Sequence, residues 1–325
     1  MQARTITIIG MQRLGVSIAL ALKKALPSVT IVGHDRDGLV TREVKEKLDA
    51  IDKAEWNLVK AAIQADILVL AIPLDELRQT LEVIGSDLQS HTLVLDLSSL
   101  KGRALKWASS SIKSGHYIGV RPILAAAALE DGRLGYEHAS EELFQKSVFC
   151  LMPAADVDKR AVQTAVYFGH LLGATPYFLD PHEYDNLVQG VETVPKLLAA
   201  ALFNAVNKET GWRDMLRFAD QPFAVMTQPL GEGDDIAQLA FNDKAATLRW
   251  LSTLIEELQV MKQWIEMDDK HTLLALLGES AESRRKWLQE RAENDWVEDV
   301  IPQVENQSLS DQLLGSWISD RMRNE

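Results

Sequence analysis

The chain has 325 residues, long enough for two domains that each bury a core of their own. Its 34 Lys and Arg stand against 47 Asp and Glu, a formal net charge of -13, and such an acidic surface repels nucleic acid and anionic membranes as main partners. The single cysteine, Cys150, excludes an internal disulfide and a cysteine-rich metal site. No apolar run is long enough to span a bilayer and no signal-peptide pattern opens the sequence, so a reduced, cytoplasmic setting without a membrane partner is expected.

In chain order, short apolar runs alternate with helix-period segments through the first half. The expected strands are Thr5–Ile9, Val29–Gly33, Ile67–Ile72, Thr92–Leu95, Tyr117–Gly119, Val148–Met152 and Thr175–Leu179. Several are almost wholly apolar, as strands covered on both faces tend to be. Between them Leu14–Ala25, Leu74–Leu88 and Gly102–Ile112 carry helical spacing. The alternation predicts an α/β domain over residues 1–180, a mostly parallel sheet with helices on both sides. After Asp180-Pro181 the strand signals stop. Helical stretches follow over His182–Lys208, Ile236–Glu266 and Lys270–Glu293, so an all-helical domain is expected over 181–325. "GEGDD" (Gly231–Asp235) reads as a loop and helix start. Cys150, inside the apolar run "SVFCLMP", reads as a buried, inert thiol. No Ser-His-Asp arrangement or metal-ligand spacing is visible.

The stretch "ITIIGMQRLGVSIALALKKA" (Ile6–Ala25) opens as a strand, a glycine turn and a helix. In a dinucleotide site the first glycine makes the turn, the second admits the pyrophosphate and the third lets helix and strand pack closely. Gly10 and Gly15 suit the first and third roles, while Gln12 places a side chain at the second. The helix N-terminus, at Arg13 and Leu14, still offers N–H groups to an anion. Asp35, in "IVGHDRD" about twenty residues beyond the turn, suits a ribose acceptor that disfavours a 2′-phosphate. The expected cofactor is therefore NAD rather than NADP, held by Gly10, Gln12, Arg13, Leu14, Gly15, Asp35 and Pro73. The alternative is a domain of this shape that has lost its ligand, with Asp35 a turn residue only.

Four further stretches resemble the prephenate/arogenate dehydrogenase family. "DLSSLKG" (Asp96–Gly102) is similar to its Asp-x-x-Ser-Val-Lys segment, and "YIGVRPILA" (Tyr117–Ala125) stands where it has Gly-Gly-His-Pro-Met-Ala-Gly. "VETVPKLLAAAL" (Val191–Leu202) stands where it has Ser-His-Leu-Pro-His-Leu-Leu-Ala, and "GWRDMLRFA" (Gly211–Ala219) resembles its Gly-Phe-Arg-Asp-x-Thr-Arg-Ile-Ala. The resemblance implies a Rossmann-type nucleotide domain and a helical substrate and dimerisation domain. It also implies NAD(P)-dependent oxidative decarboxylation of prephenate, a step toward tyrosine, by a homodimer joined through its C-terminal helices.

The departures fall on the chemistry. Arg121 stands at the family's catalytic histidine and, remaining protonated, cannot be a general base. Thr193 and Lys196 stand at two substrate-side histidines. Ser99 keeps the serine that the family uses to hold the reacting hydroxyl, and Arg213 and Arg217 keep a helix it uses to grip a carboxylate. The resemblance thus assigns Ser99, Arg121 and Lys196 to the catalytic positions and Thr193, Lys196, Arg213 and Arg217 to substrate, a small carboxylate anion. The cations would face one cleft. Two alternatives stay open: Arg213 and Arg217 could form ion pairs beside Asp214, and the chain could be a catalytically impaired homologue, a sensor or partner subunit that binds a nucleotide or small anion.

Overall fold

The computed structural model describes residues 3–230 and 233–294. The chain divides into two compact units, one of Met1–Pro181 together with the chain from Gln289, the other of His182–Leu288. In the first unit the strands are β1 (Thr5–Ile9), β2 (Thr30–His34), β3 (Lys53–Ala54), β4 (Ile67–Leu70), β5 (Leu93–Asp96), β6 (His116–Pro122), β7 (Ser147–Pro153) and β8 (Ala174–Phe178). They form one sheet in the order β3-β2-β1-β4-β5-β6-β7-β8, parallel except where β7 runs antiparallel to β6. The order reverses at β1 and β4, so the chain ends of these two strands flank the crevice in which α/β sheets bind ligands.

The helices of this unit are α1 (Arg13–Ala25), α2 (Gly38–Leu48), α3 (Leu58–Ile63), α4 (Leu74–Ile84), α5 (Lys101–Ser111) and α6 (Lys159–Leu171). The apolar runs become strands because both sheet faces are covered: every residue of β4 and β5 is buried. Ile8, Ile18, Leu22, Ile31, Val69, Leu95, Ile118, Phe149 and Phe168 join in one core. Arg291 and Asn294 tie the chain after Gln289 to this unit. Arg291 donates Nη2 to the Leu124 carbonyl at 2.6 Å, and Asn294 donates Nδ2 to Thr175 Oγ1 at 2.8 Å. The expected second domain, drawn to residue 325, therefore differs from the observed unit at this end; residues 295–325 lie outside the described residues.

The second unit holds α7 (Pro181–Val188), α8 (Val194–Asn207), α9 (Trp212–Phe218), α10 (Gln221–Thr227), α11 (Gly233–Asn242), α12 (Lys244–Glu266) and the greater part of α13 (Lys270–Glu293). A π-helical turn, Gln189–Thr193, joins α7 to α8. It is fixed by buried Gln189, whose amide donates to the Leu239 carbonyl (3.4 Å) and whose Oε1 accepts from Thr247 Oγ1 (3.1 Å). The expected single helix over Ile236–Glu266 breaks at Asp243, whose carboxylate accepts from Ala246 N–H and caps a new helix. Gly231 and Glu232 of the expected loop lie outside the described residues. No helix among the described residues is long and apolar enough to cross a membrane.

Candidate functional site

The glycine turn sits at the end of β1, where the sheet order reverses. Gly10 has φ +97°, and a Cβ there would lie 2.3 Å from the Ala71 carbonyl oxygen. A Cβ on Gly15 would lie 2.0 Å from the Gly10 carbonyl oxygen. Only glycine fits at either point, the first for the turn and the second so that α1 can approach the loop. Gln12 differs in kind. It is the N-cap of α1 with φ -86° and ψ -173°, backbone that any residue adopts, and its side chain is exposed. The middle position of the motif therefore needs no glycine for its own geometry here. Leu14 packs against the core behind the turn.

Asp35 follows β2 and reaches the glycine turn. Its Oδ2 accepts from Met11 N–H at 2.7 Å and its Oδ1 from Asp37 N–H at 2.9 Å. The carboxylate thus braces the glycine turn while staying partly exposed, with lone pairs left for a further donor. Arg36 turns away and pairs with Glu76 on α4 at 2.5 Å. Pro73, exposed, caps α4 at the end of β4, on the other side of the crevice. The expected cofactor residues Gly10, Gln12, Leu14, Gly15, Asp35 and Pro73 therefore gather around one end of the sheet.

The side chain of Arg13 stands apart from them. It is buried, and its guanidinium is directed at the connection between β6 and β7. Nη1 donates to the carbonyls of Asp131 (2.9 Å) and Arg133 (2.6 Å), and Nε to that of His138 (3.2 Å). Nη2 pairs with the Asp131 carboxylate at 3.0 Å. Asp131 is held far below the usual carboxylate range, chiefly by its hydrogen bond from Arg133, against an opposing effect of desolvation, with a smaller contribution from the Arg13 charge. Nothing in the sequence announces these partners, which lie well over a hundred residues from Arg13 in a segment without periodic pattern.

The Ser99 segment rests on a buried ionic cluster. Asp96 and Lys101, at the end of β5 and the start of α5, have side chains 0% and 1% exposed and lie 3.4 Å apart. Lys101 Nζ also donates to the carbonyls of Asp96 (2.8 Å) and Ser98 (2.6 Å). The Asp96 carboxylate accepts from Ser98 N–H, Ser98 Oγ and the Tyr117 hydroxyl, each at 2.8 Å. This satisfies both buried charges and fixes the turn that carries half-buried Ser99. Sequence reading singled out Ser99 and passed over Asp96, Ser98, Lys101 and Tyr117. A lysine two residues after the serine at a strand-to-helix junction was the available signal.

Arg121 lies on β6, half-buried, opposite Cys150 in the antiparallel register. Its Nη1 reaches the Leu97 carbonyl at 3.4 Å, so Arg121 and the Ser99 turn are neighbours. Burial pushes the Cys150 thiol up to about 11, although Arg121, Lys101 and Arg291 pull the other way. Cys150 is therefore a neutral, packed side chain. His116 occupies the opposite end of β6.

In the second unit Thr193 is fully buried at the end of the π-helical turn, and its hydroxyl has no hydrogen-bond partner among the described residues. Lys196 is half-buried on the first turn of α8. Arg213 and Arg217 are exposed on α9, where Arg217 pairs with Asp214 at 3.2 Å and Arg213 stacks on Trp212 with its Cζ 5.6 Å from the ring centre. Within this unit the ion-pair alternative for Arg217 is thus realised, and Arg213 is held over a flat aromatic surface. No group of three His, Cys, Asp or Glu among the described residues is placed to hold a metal.

A glycine turn at the sheet reversal, a braced carboxylate after β2 and a trailing helical unit define a dinucleotide-type α/β protein. Comparison with known proteins narrows the class. The sequence model for the prephenate dehydrogenase nucleotide-binding domain matches residues 18–177. A prephenate dehydrogenase of Bacillus subtilis (strain 168) is 24% identical over 276 residues, covering 83% of this chain and 72% of the relative. One from Lactococcus lactis subsp. cremoris (strain MG1363) is 27% identical over 271 residues, covering 82% and 69%. A solved prephenate dehydrogenase from A. aeolicus, in complex with hydroxyphenyl propionate and NAD+, shares the fold with a TM-score of 0.76 at 19% identity, covering 88% of this chain and 98% of that one. Over residues 18–177 the chain belongs, by its nucleotide-binding domain, to the prephenate dehydrogenase family.

Proposed function

We propose that this chain is an NAD-dependent oxidoreductase of the prephenate dehydrogenase type, acting on prephenate or a related small carboxylate in tyrosine biosynthesis. The observation that supports it best is the intact turn. Gly10 and Gly15 allow backbone approaches that any Cβ would prevent, which keeps the shape of the turn, and Asp35 both braces the loop and retains acceptor capacity for a ribose hydroxyl. These residues fit a dinucleotide. Gly10, Gln12, Leu14 and Gly15 would line the diphosphate, and Asp35 and Pro73 the adenosine end. An acid at Asp35 and an Arg36 already paired with Glu76 favour NAD over NADP. When bound, NAD accepts hydride from the ring carbon of the substrate as carbon dioxide leaves.

The protein's own groups have three tasks in this reading. Ser99, fixed by the Asp96–Lys101 cluster, hydrogen-bonds the reacting hydroxyl. Arg121 supplies positive charge for a carboxylate or a developing alkoxide but cannot take the proton. Lys196, Thr193, Arg213 and Arg217 serve a carboxylate from the second unit.

The arginine at position 121 also supports a second reading, a catalytically impaired homologue that keeps ligand binding as a sensor or partner subunit. One experiment separates the two. NAD titration by calorimetry is followed by a prephenate assay that monitors NADH absorbance in the wild type and in Arg121→His. Turnover by the wild type is expected. Turnover confined to the variant would replace the enzyme reading with the second one, and absence of NAD binding would remove the enzyme reading altogether.

The proposal includes a cytoplasmic homodimer joined through the C-terminal helices. Phe218, Phe241, Ile255, Ile265 and Leu274 are exposed apolar residues of the second unit that a partner's helices could cover. Light scattering is expected to give about twice 36.2 kDa; a single-chain mass refutes the dimer.

A further inference from the structure

The connection between β6 and β7 crosses the first turn of α1, and one of its contacts falls on a backbone group that matters. The Arg13 N–H, first of the helix, donates to the Leu134 carbonyl at 3.2 Å. The opening N–H groups of a helix have no partner within it, and they are the donors that a phosphate takes at a turn of this kind. An N–H shared between that carbonyl and a phosphate makes a weaker bond to each than it would to one alone.

The rest of the crossing segment is held by hydrogen bonds and by Tyr136, which packs partly buried against the core. Arg13 gives its guanidinium to the carbonyls of Asp131, Arg133 and His138 and to the Asp131 carboxylate. Ser140 N–H donates to Ser17 Oγ on α1 at 3.0 Å, and the Tyr136 hydroxyl donates to Glu43 on α2. Leu134, the residue whose carbonyl takes the Arg13 N–H, leaves its side chain 79% exposed, so apolar burial does not hold it there. A cavity of about 480 Å³ is lined by Arg13, Asp131, Arg133, His138, Ser140 and Lys146, leaving the segment loosely packed on that side.

We propose that residues 131–138 are a latch that occupies the diphosphate seat through the Leu134 carbonyl and must lift before a dinucleotide binds. The inference rests on reading the Gly10–Gly15 turn as a dinucleotide seat. A phosphate oxygen carries charge and makes the stronger bond to an N–H, so ligand at sufficient concentration displaces the carbonyl. The apparent affinity is then the intrinsic one reduced by the fraction of molecules with the latch open. Asp131, Arg133 and Tyr136 are in this view regulatory residues that set that fraction.

The test weakens the latch without touching Arg13 or the glycine turn. Asp131→Ala removes the carboxylate shared by Arg13 and Arg133, and Tyr136→Phe removes the bond to Glu43. Trypsin cleavage after exposed Arg133 reports opening without any ligand, and calorimetry reports NAD affinity. The double variant is expected to be cut several-fold faster, with NAD affinity tightened about three- to thirty-fold. Faster cleavage with unchanged NAD affinity overturns the latch and leaves the dinucleotide reading standing. Unchanged cleavage overturns it as well, because these contacts then do not hold the segment. Faster cleavage with no NAD binding to either protein overturns both readings together.

Discussion

Replacing Lys101 by Met tests whether the buried ionic cluster supports the Ser99 turn. The Lys101 side chain is 1% exposed and makes an ion pair at 3.4 Å and two carbonyl hydrogen bonds at 2.8 and 2.6 Å. Methionine fills much of the same apolar path, so cavity formation contributes little. The main loss is electrostatic, since Asp96 stays 0% exposed with its charge and, among the described residues, the hydroxyls of Ser98 and Tyr117 and the Ser98 N–H to hold it. Removing one member of a buried pair costs about 3–5 kcal/mol. For a cooperative unit of this size that is a fall in Tm of roughly 6–20 °C. Urea unfolding followed by circular dichroism measures it directly. The double variant Asp96→Asn with Lys101→Met removes both charges and is expected to recover at least half of the loss. A loss below about 1 kcal/mol in Lys101→Met, or no recovery in the double variant, would refute the account.

Gly15→Ala is expected to cost about 1–3 kcal/mol of stability and at least tenfold in NAD affinity, because the new methyl would sit 2.0 Å from the Gly10 carbonyl oxygen; unchanged affinity by calorimetry would show that the turn is not the seat. Cys150 is expected to resist a thiol reagent at pH 8 in the native protein and to react at once in denaturant. Its proton is held tighter when folded, about 11 against the ordinary 9.0, so stability should fall as pH rises between these values and stay flat below them. Urea unfolding at a series of alkaline pH values, with Cys150→Ala as reference, checks the slope; an identical slope in the variant counts against burial as its cause.

Much of the first unit could be read from its residues because both faces of the sheet are covered and the strands are continuous apolar runs. Every expected strand overlaps an observed one, while β3, two residues long with only one of them apolar, carried no pattern to read. The glycine turn and Asp35 were legible because backbone geometry restricts the residue types that fit there. Arg13 was read as a cofactor residue from its place after Gln12; its partners at Asp131, Arg133 and His138 depend on a long-range crossing that local spacing does not encode. The helix break at Asp243 was missed because the apolar spacing continues across it while a single capping carboxylate restarts the ladder. The return of the chain to the first unit at Gln289 rests on single polar contacts such as that from Arg291 to Leu124, which periodicity cannot signal.

The reversal of direction between β6 and β7 has a consequence for how this protein could change. Pro122 and Phe149 are paired across the ladder, so the connecting chain, 123–146, departs and returns close to the same rung. Lengthening such an excursion costs only about 0.6 kcal/mol per doubling and disturbs no strand register. Insertions at its exposed part, 132–134, would lengthen the segment that crosses the glycine turn while Leu143 and Phe144 stay anchored in the core.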